Sequence, residues 1–196
     1  MKRVFCSLAA LGLLLGTAGQ ARSGSIYWTD FIGGDIQRAN LNGSGQATLV
    51  RGLSSPVGIS LDVAGGQMYW SEIGSGSIRR ANLDGTGHKT LVSGLNRPGA
   101  PALDLAGGRM YWNDSGGGDI ARAKLDGTGL ATLISGQNNP NRVVLDLAGG
   151  KMYWAENGRG SIRRSNLDGT GLTTLVTGLF GGNNVEIGRA SCRERV

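Results

Sequence analysis

The chain repeats one pattern at a fixed interval of 42 residues, and this periodicity limits its possible folds more than any other feature. The segment "AGGQMYWSE" at 64–72 returns as "AGGRMYWND" at 106–114 and as "AGGKMYWAE" at 148–156, and the related "IYWTD" lies at 26–30. A period of about 40 to 50 residues with short strands and regular turns is typical of β-propeller blades. The sequence therefore predicts an all-β protein built from repeated blades.

One repeat, residues 57–92, contains four short β-type runs, "GISLD", "QMYWSE", "SIRRANL" and "HKTLV". The segments between them, "VAGG", "IGSG" and "DGTG", are turn signals in which glycine allows positive φ, so three successive hairpins follow. We predict a four-stranded antiparallel meander in each blade. The predicted strands are 57–62, 67–72, 77–83 and 88–92, recurring 42 and 84 residues later.

The period also divides the chain. Residues 1–21 are predicted below to be a signal peptide, and the few residues between Ala21 and Ile26 leave no room for the first strand of a blade. The prediction is therefore an incomplete arc of about four blades. The predicted divisions are a signal peptide at 1–21, a propeller fragment at 22–185 and a tail at 186–196; within the fragment they are a partial blade 1 at 25–50, blade 2 at 57–92, blade 3 at 99–134, blade 4 at 141–176 and the start of blade 5 at 183–185.

Residues 1–21 are typical of a secretory signal peptide. Lys2 and Arg3 precede an apolar run, and small residues lead to a predicted cleavage site after Ala21. A membrane anchor is the alternative, but the apolar run is shorter than the roughly 20 residues that span a bilayer. We therefore expect an exported protein, whether secreted, periplasmic or at the cell surface.

Residues 186–196, "EIGRASCRERV", break both the period and the glycine-rich composition. Codons that encode these residues in order resemble a sequencing adapter, so we predict an artefactual tail that packs against nothing and forms no regular structure, beyond at most extending the strand before it. A natural basic tail is the alternative.

Charge and cysteine content exclude several classes of function. Without the two ends, residues 22–185 carry 15 basic and 12 acidic residues, a net charge of +3, whereas the whole chain has a net charge of +6. So small an excess gives no electrostatic reason to expect a nucleic-acid partner or insertion of the mature region into a membrane. Both cysteines lie in the ends, so no disulfide framework is predicted.

The recurring aromatic, acidic and basic residues are predicted to be structural. Tyrosine and tryptophan on opposite faces of one strand would place a large ring in each of the two interfaces of a blade. We expect the acid that ends each motif to pair, either across strands or between blades, with the arginine that recurs on the following strand, the alternative being solvated pairs that contribute little. These residues are Tyr27, Trp28, Asp30, Arg38, Tyr69, Trp70, Glu72, Arg80, Tyr111, Trp112, Asp114, Arg122, Tyr153, Trp154, Glu156 and Arg164.

The motifs "IYWTD", "MYWSE", "MYWND" and "MYWAE", each followed by I-x-R-x-x-L-(D/N)-G and T-L-(V/I), resemble the YWTD repeat, also called the low-density-lipoprotein-receptor class B repeat. The resemblance implies a six-bladed β-propeller in the complete protein, with the motif on the second strand of each blade in a structural role. Members are mostly extracellular binding modules. Animal members are typically flanked by cysteine-rich modules, which are absent here, so we expect a bacterial-type exported member.

Three functions remain open at this point. The first is a non-enzymatic binding module for a protein, glycan or matrix ligand, with no cofactor and no catalytic or metal-binding residue. The second is a propeller enzyme of the lyase or lactonase type with an axial metal, because Asp62, Asp104 and Asp146 recur at one position. We predict instead that these three residues cap turns. The third is a purely structural surface repeat.

Overall fold

The computed structural model of the protein describes residues 24–180 and 184–188. Every regular element within them is a β-strand, which confirms the all-β prediction. Three four-stranded antiparallel sheets and one three-stranded sheet follow one another, and strands adjacent in sequence are adjacent in each sheet. The predicted signal peptide at 1–21 and residues 189–196 lie outside the described residues.

The strands recur with the predicted period. Blade 1 has three strands: β1 (Ser25–Asp30), β2 (Asp35–Asn40) and β3 (Ala47–Val50). Blade 2 has β4 (Pro56–Asp62), β5 (Gln67–Glu72), β6 (Ser77–Asn82) and β7 (Lys89–Val92). Blade 3 has β8 (Ala102–Asp104), β9 (Arg109–Asp114), β10 (Asp119–Lys124) and β11 (Ala131–Ile134), and blade 4 has β12 (Pro140–Asp146), β13 (Lys151–Glu156), β14 (Ser161–Asn166) and β15 (Thr173–Val176).

One strand, β8, is three residues shorter than predicted, whereas the others differ from the prediction by about one residue at an end. We expected β8 to begin near residue 99, but it begins at Ala102. Pro101 precedes it and has no N–H group to donate to a neighbouring strand, which accounts for the late start. Only an isolated bridge between Pro98 and Asp114 continues the pairing towards the start of the blade.

The first hairpin of each complete blade is closed by an aspartate. The Oδ1 atom of Asp62 accepts a hydrogen bond of 2.7 Å from the backbone N–H of Gly65, and the same bond recurs at Asp104 and Asp146. This confirms that these acids cap turns. The next residue, Gly66, has φ +69°, a left-handed conformation that glycine adopts without steric cost.

Adjacent blades pack through opposite faces of the aromatic strand. Trp70 lies in a buried cluster with Ile36 and Val50 of blade 1, whereas Tyr69 lies in a cluster with Met110 of blade 3. Tyr111 and Trp154 meet in the same way between blades 3 and 4. Each blade therefore presents tryptophan to the blade before it and tyrosine to the blade after it, so Trp70, Trp112 and Trp154 occupy equivalent positions. Trp28 and Tyr153, on the outer faces of the first and last described blades, are only half-buried.

Residues 184–188 run beside β12 without forming a strand. The Asn141 side chain donates a hydrogen bond of 3.1 Å from Nδ2 to Oδ1 of Asn184, and Arg142 forms an ion pair with Glu186. The prediction that residues 186–196 contact nothing is therefore wrong for Glu186, because the exposed guanidinium of Arg142 lies within its reach. No regular structure forms at 184–188, as expected.

Candidate functional site

A buried carboxylate ends the second strand of blade 2 and collects hydrogen bonds from four donors. Glu72 accepts them from the backbone N–H of Ser54 (3.0 Å), Nε1 of Trp70 (3.0 Å), Oγ of Ser75 (3.1 Å) and Nη1 of Arg79 (3.1 Å). Burial raises the pKa of Glu72, but the hydrogen bonds from Ser54, Trp70 and Arg79 outweigh it and hold the pKa below its ordinary value. Because Ser54 belongs to the connection from blade 1, this cluster joins two blades.

Blade 4 repeats the arrangement. Glu156 accepts hydrogen bonds from the backbone N–H of Asn138 (2.6 Å), Oγ of Ser161 (3.2 Å) and Nη1 of both Arg159 and Arg163 (3.0 Å each). Burial again raises the pKa of this carboxyl, and the hydrogen bonds together with the two guanidinium charges lower it overall. Both glutamates are therefore held in the charged form.

Blade 3 has a different environment at this position. Asp114 accepts one hydrogen bond, of 2.8 Å from the backbone N–H of Asn96, and its Oδ1 atom has no partner. Ala121 stands where blade 2 has Arg79. Burial raises the pKa of Asp114 and the nearby carboxylate of Asp119 raises it further, so that the Asn96 hydrogen bond does not offset them. In blade 1, by contrast, the half-buried Asp30 accepts hydrogen bonds from backbone N–H groups of its own turn.

The predicted pairing between the motif acids and the recurring arginines is wrong. Residues directly opposite each other in an antiparallel pair share a face, and Tyr69 is opposite Arg80 while Trp70 is opposite Arg79. Arg79 therefore shares the face of Glu72, and Arg80 lies on the other side. Within the described residues no ion pair joins Arg38, Arg80, Arg122 or Arg164 to Asp30, Glu72, Asp114 or Glu156.

The recurring arginines extend towards the next blade instead. Nη1 of Arg80 donates a hydrogen bond of 3.4 Å to the carbonyl oxygen of Leu125, and its guanidinium lies 6.0 Å from the ring centre of Tyr69. Arg38 lies near Asp84, where hydrogen bonds from Thr86 lower the pKa of the carboxyl most and the charge of Arg38 adds to them. Contacts of these arginines with a neighbouring blade were predicted, but the predicted partners were the motif acids, and the observed partners are Leu125 and Asp84.

The first strands of the blades enclose a cleft. Strand β4 contacts β8, and β8 contacts β12, and between them lies a cavity of about 870 Å³. Its wall includes Gly58 and Ala100, which approach so closely that a Cβ atom on Gly58 would lie 2.1 Å from that of Ala100. At this point the wall of the cleft is formed by backbone and small side chains, while larger apolar residues such as Ile59, Leu103 and Val144 line other parts of it.

Three polar residues of interest line this cleft: Asn113, Arg97 and Arg142. Asn113 is buried, and its Nδ2 atom donates a hydrogen bond of 2.9 Å to the carbonyl oxygen of Pro140 while its Oδ1 atom has no partner. Arg97 and Arg142 line the cleft with φ values of +65° and +37°, which are uncommon for residues other than glycine. The positive φ of Arg97 recurs at the equivalent Ser55 and Asn139 (54° each) and belongs to the repeated connection between blades, whereas that of Arg142 has no equivalent. The exposed Arg97 is therefore the guanidinium that the cleft offers to a polar ligand, because Arg142 is paired with Glu186, which also lines the cleft, and Oδ1 of Asn113 is buried.

Metal-binding and membrane-spanning features are limited in the described part of the chain. Residues 24–180 and 184–188 contain no group of three or more histidine, cysteine, aspartate or glutamate side chains placed to hold a metal ion. The same residues include no helix long and apolar enough to cross a membrane.

The stacked four-stranded meanders define the chain as a β-propeller. A chain of a nidogen/laminin complex is similar to it with a TM-score of 0.68 and 27% identity over 78% of this chain and 61% of that one. Virginiamycin B lyase from Staphylococcus aureus, solved with quinupristin, has a TM-score of 0.66 and 18% identity over 79% and 52%. A TolB-like protein from Agrobacterium tumefaciens has a TM-score of 0.64 and 20% identity over 76% of this chain and 58% of that one. No protein-family model and no curated protein matches the chain. The chain thus spans between half and two thirds of the length of these solved structures.

Proposed function

We propose that the chain is part of an exported, bacterial-type YWTD propeller that binds a protein or glycan partner in the cleft between β4, β8 and β12, without catalysing a reaction. The observation that carries this proposal is the polar cleft, whose lining includes Arg97, Asn113 and the ion pair of Arg142 with Glu186. Guanidinium groups form planar, bidentate hydrogen bonds with carboxylates and other oxygen acceptors, which suits an acidic glycan or peptide. The similarity to a chain solved as a complex of two proteins, nidogen and laminin, supports a binding role.

The enzyme alternative requires acidic or histidine side chains that are free to hold a metal. The recurring acids Asp62, Asp104 and Asp146 each accept a backbone N–H of their own turn. A carboxylate oxygen used in this way defines a hairpin, and this supports binding in preference to metal-assisted catalysis. The similarity to virginiamycin B lyase is at 18% identity and concerns the fold alone.

The proposal is tested by screening the protein against a glycan array and against immobilised matrix glycoproteins, laminin included. Affinities of any partner are then measured by surface plasmon resonance for the unaltered protein and for a variant with Arg97→Ala and Arg142→Ala. We expect at least a tenfold weaker affinity in that variant, about 1.4 kcal/mol. Arg51→Ala is the matched control, since Arg51 is exposed and does not line the cleft.

Two results would contradict the proposal. One is that the partner binds the double variant as well as it binds the unaltered protein. The other is that no partner binds while a divalent metal supports turnover of a glycan or lactone substrate, which would favour the enzyme.

A further inference from the structure

The hairpin between β9 and β10 in blade 3 brings two carboxylates to one corner. Asp114 and Asp119 are directly opposite each other in the ladder. A Cβ atom added to Gly117 would lie 3.3 Å from Oδ2 of Asp119 and 3.7 Å from Oδ2 of Asp114, so both carboxylates face the same small space. Like charges directly opposite each other destabilise a sheet unless something neutralises them.

In the two neighbouring blades, the equivalent hairpin corner contains arginine side chains. In blade 2, Nη1 of Arg79 lies 3.1 Å from Glu72, and in blade 4 Nη1 atoms of Arg159 and Arg163 lie 3.0 Å from Glu156. Blade 3 has glycine and alanine at the positions of these two blade 4 arginines, and it has an aspartate where blades 2 and 4 have serine. Among blades 2 to 4, the blade that carries an additional acid is therefore the one that lacks the arginine, and blade 1 likewise has Asp35 opposite Asp30 and Gln37 at the position of Arg79.

The buried oxygen of Asp114 provides an independent observation. Asp114 is only 7% exposed, and its Oδ1 atom has no hydrogen-bond partner. Nε1 of the buried Trp112 also has no acceptor, although the equivalent atom of Trp70 donates to Glu72. Buried polar atoms without partners are rare, and in native proteins they often mark an ion or a water. Asp30 in blade 1 leaves no such buried atom, since its side chain is half-exposed and Oδ1 accepts two backbone N–H groups.

We propose that this corner is a cation site, in which Asp114 and Asp119 bind one hard divalent ion such as Ca²⁺. Carboxylates and water oxygens are the ligands that such ions prefer, and water molecules complete the coordination here. A water bound to the ion can donate a hydrogen bond to the partnerless Oδ1 atom of Asp114. With only two protein carboxylates, the expected dissociation constant is on the order of 10⁻⁴ to 10⁻³ M, the range of extracellular calcium modules.

The site is tested in the full chain with Ca²⁺ and with Tb³⁺, whose luminescence a nearby tryptophan sensitises. We expect one bound ion per chain by calorimetry, sensitised Tb³⁺ emission that Ca²⁺ displaces, and a melting temperature that rises with Ca²⁺ concentration. Asp119→Ser, the residue of blades 2 and 4, should weaken binding at least tenfold. A second variant that combines Asp114→Glu, Asp119→Ser and Ala121→Arg rebuilds the blade 2 cluster and should abolish binding while the protein remains folded.

Asp104→Asn is the matched control, because Asp104 is an acid of the same blade that caps a turn outside the corner. It should leave the affinity for Ca²⁺ unchanged. The proposal is overturned if neither ion binds, or if Asp119→Ser binds as tightly as the unaltered protein. Stability that depends on pH but on no cation would also overturn it, since the two carboxylates would then share a proton.

Discussion

Replacing Glu72 with glutamine tests whether the buried carboxylate holds blades 1 and 2 together. Four donors and no acceptor surround this carboxylate, two of them bonded to each oxygen: Trp70 and Arg79 to Oε1, and Ser54 and Ser75 to Oε2. Glutamine keeps the shape and one oxygen, but its NH₂ group must face two donors. Hydrogen bonds to a charged group contribute about 1.5 to 3 kcal/mol each. Because two are lost and the arginine is partly exposed, we expect Glu72→Gln to lower the free energy of unfolding by about 3 to 4 kcal/mol.

The measurement is urea unfolding at pH 7, followed by far-UV circular dichroism. Asp62→Asn is the control: asparagine keeps the oxygen that accepts the N–H of Gly65, so a loss under about 1 kcal/mol is expected. A double-mutant cycle with Arg79→Met isolates the contribution of the ion pair.

Acid pH gives the same reasoning a second test. The pKa of Glu72 in the folded protein lies below its ordinary value of 4.5, so the stabilisation is fully present above pH 4.5 and is lost as pH falls through the lower folded value. The difference between the unaltered protein and Glu72→Gln should therefore shrink below pH 4.5. A loss under about 1 kcal/mol at pH 7, or a difference that persists in acid, would refute the assigned role of the carboxylate.

Three further predictions use the same unfolding assay. Trp112→Phe should cost less than Trp70→Phe by about 1 to 2 kcal/mol, because only Trp70 donates its indole N–H to a carboxylate; equal losses would contradict this. Gly58→Ala should destabilise the protein by about 1 to 3 kcal/mol, since the new methyl group would overlap the alanine 2.1 Å away in the next blade, and a neutral effect would show that the blades can separate. Arg142→Gly should raise stability by about 1 kcal/mol by relieving a φ of +37°, and a lower stability would mean that the ion pair with Glu186 outweighs the strain.

The strands could be predicted because the determinants are local. Glycine at the turn positions and alternating apolar residues recur every 42 residues, and in blade 2 the predicted limits are within one residue of the observed ones. The exception, β8, follows from Pro101, which stands where blades 2 and 4 have Ile59 and Val143, so a prediction made from the shared repeat does not include its effect. The turn-capping role of Asp104 was also predictable, because an aspartate two to three residues before glycine commonly accepts a turn N–H.

The partners of Glu72 and the cleft could not be found in the same way. Choosing between Arg79 and Arg80 requires the register of the hairpin, which depends on the length and geometry of its turn; counting outward from the "IGSG" turn would have given the signal. The cleft depends on the bulge at Arg142 and on the distance between neighbouring blades. These are properties of packing that no single repeat encodes.

Blades 1 and 3 carry aspartate pairs at the hairpin corner, whereas blades 2 and 4 carry glutamate with serine and arginine. The side chains at this corner therefore alternate from blade to blade, although the backbone fold of each blade is the same. Glu72 and Arg79 stand seven positions apart, and a single inherited substitution at either one would leave a buried charge without its partner. Copying a whole blade transmits the acid and its arginine together. The architecture therefore favours change by duplication of whole blades over substitution at single positions.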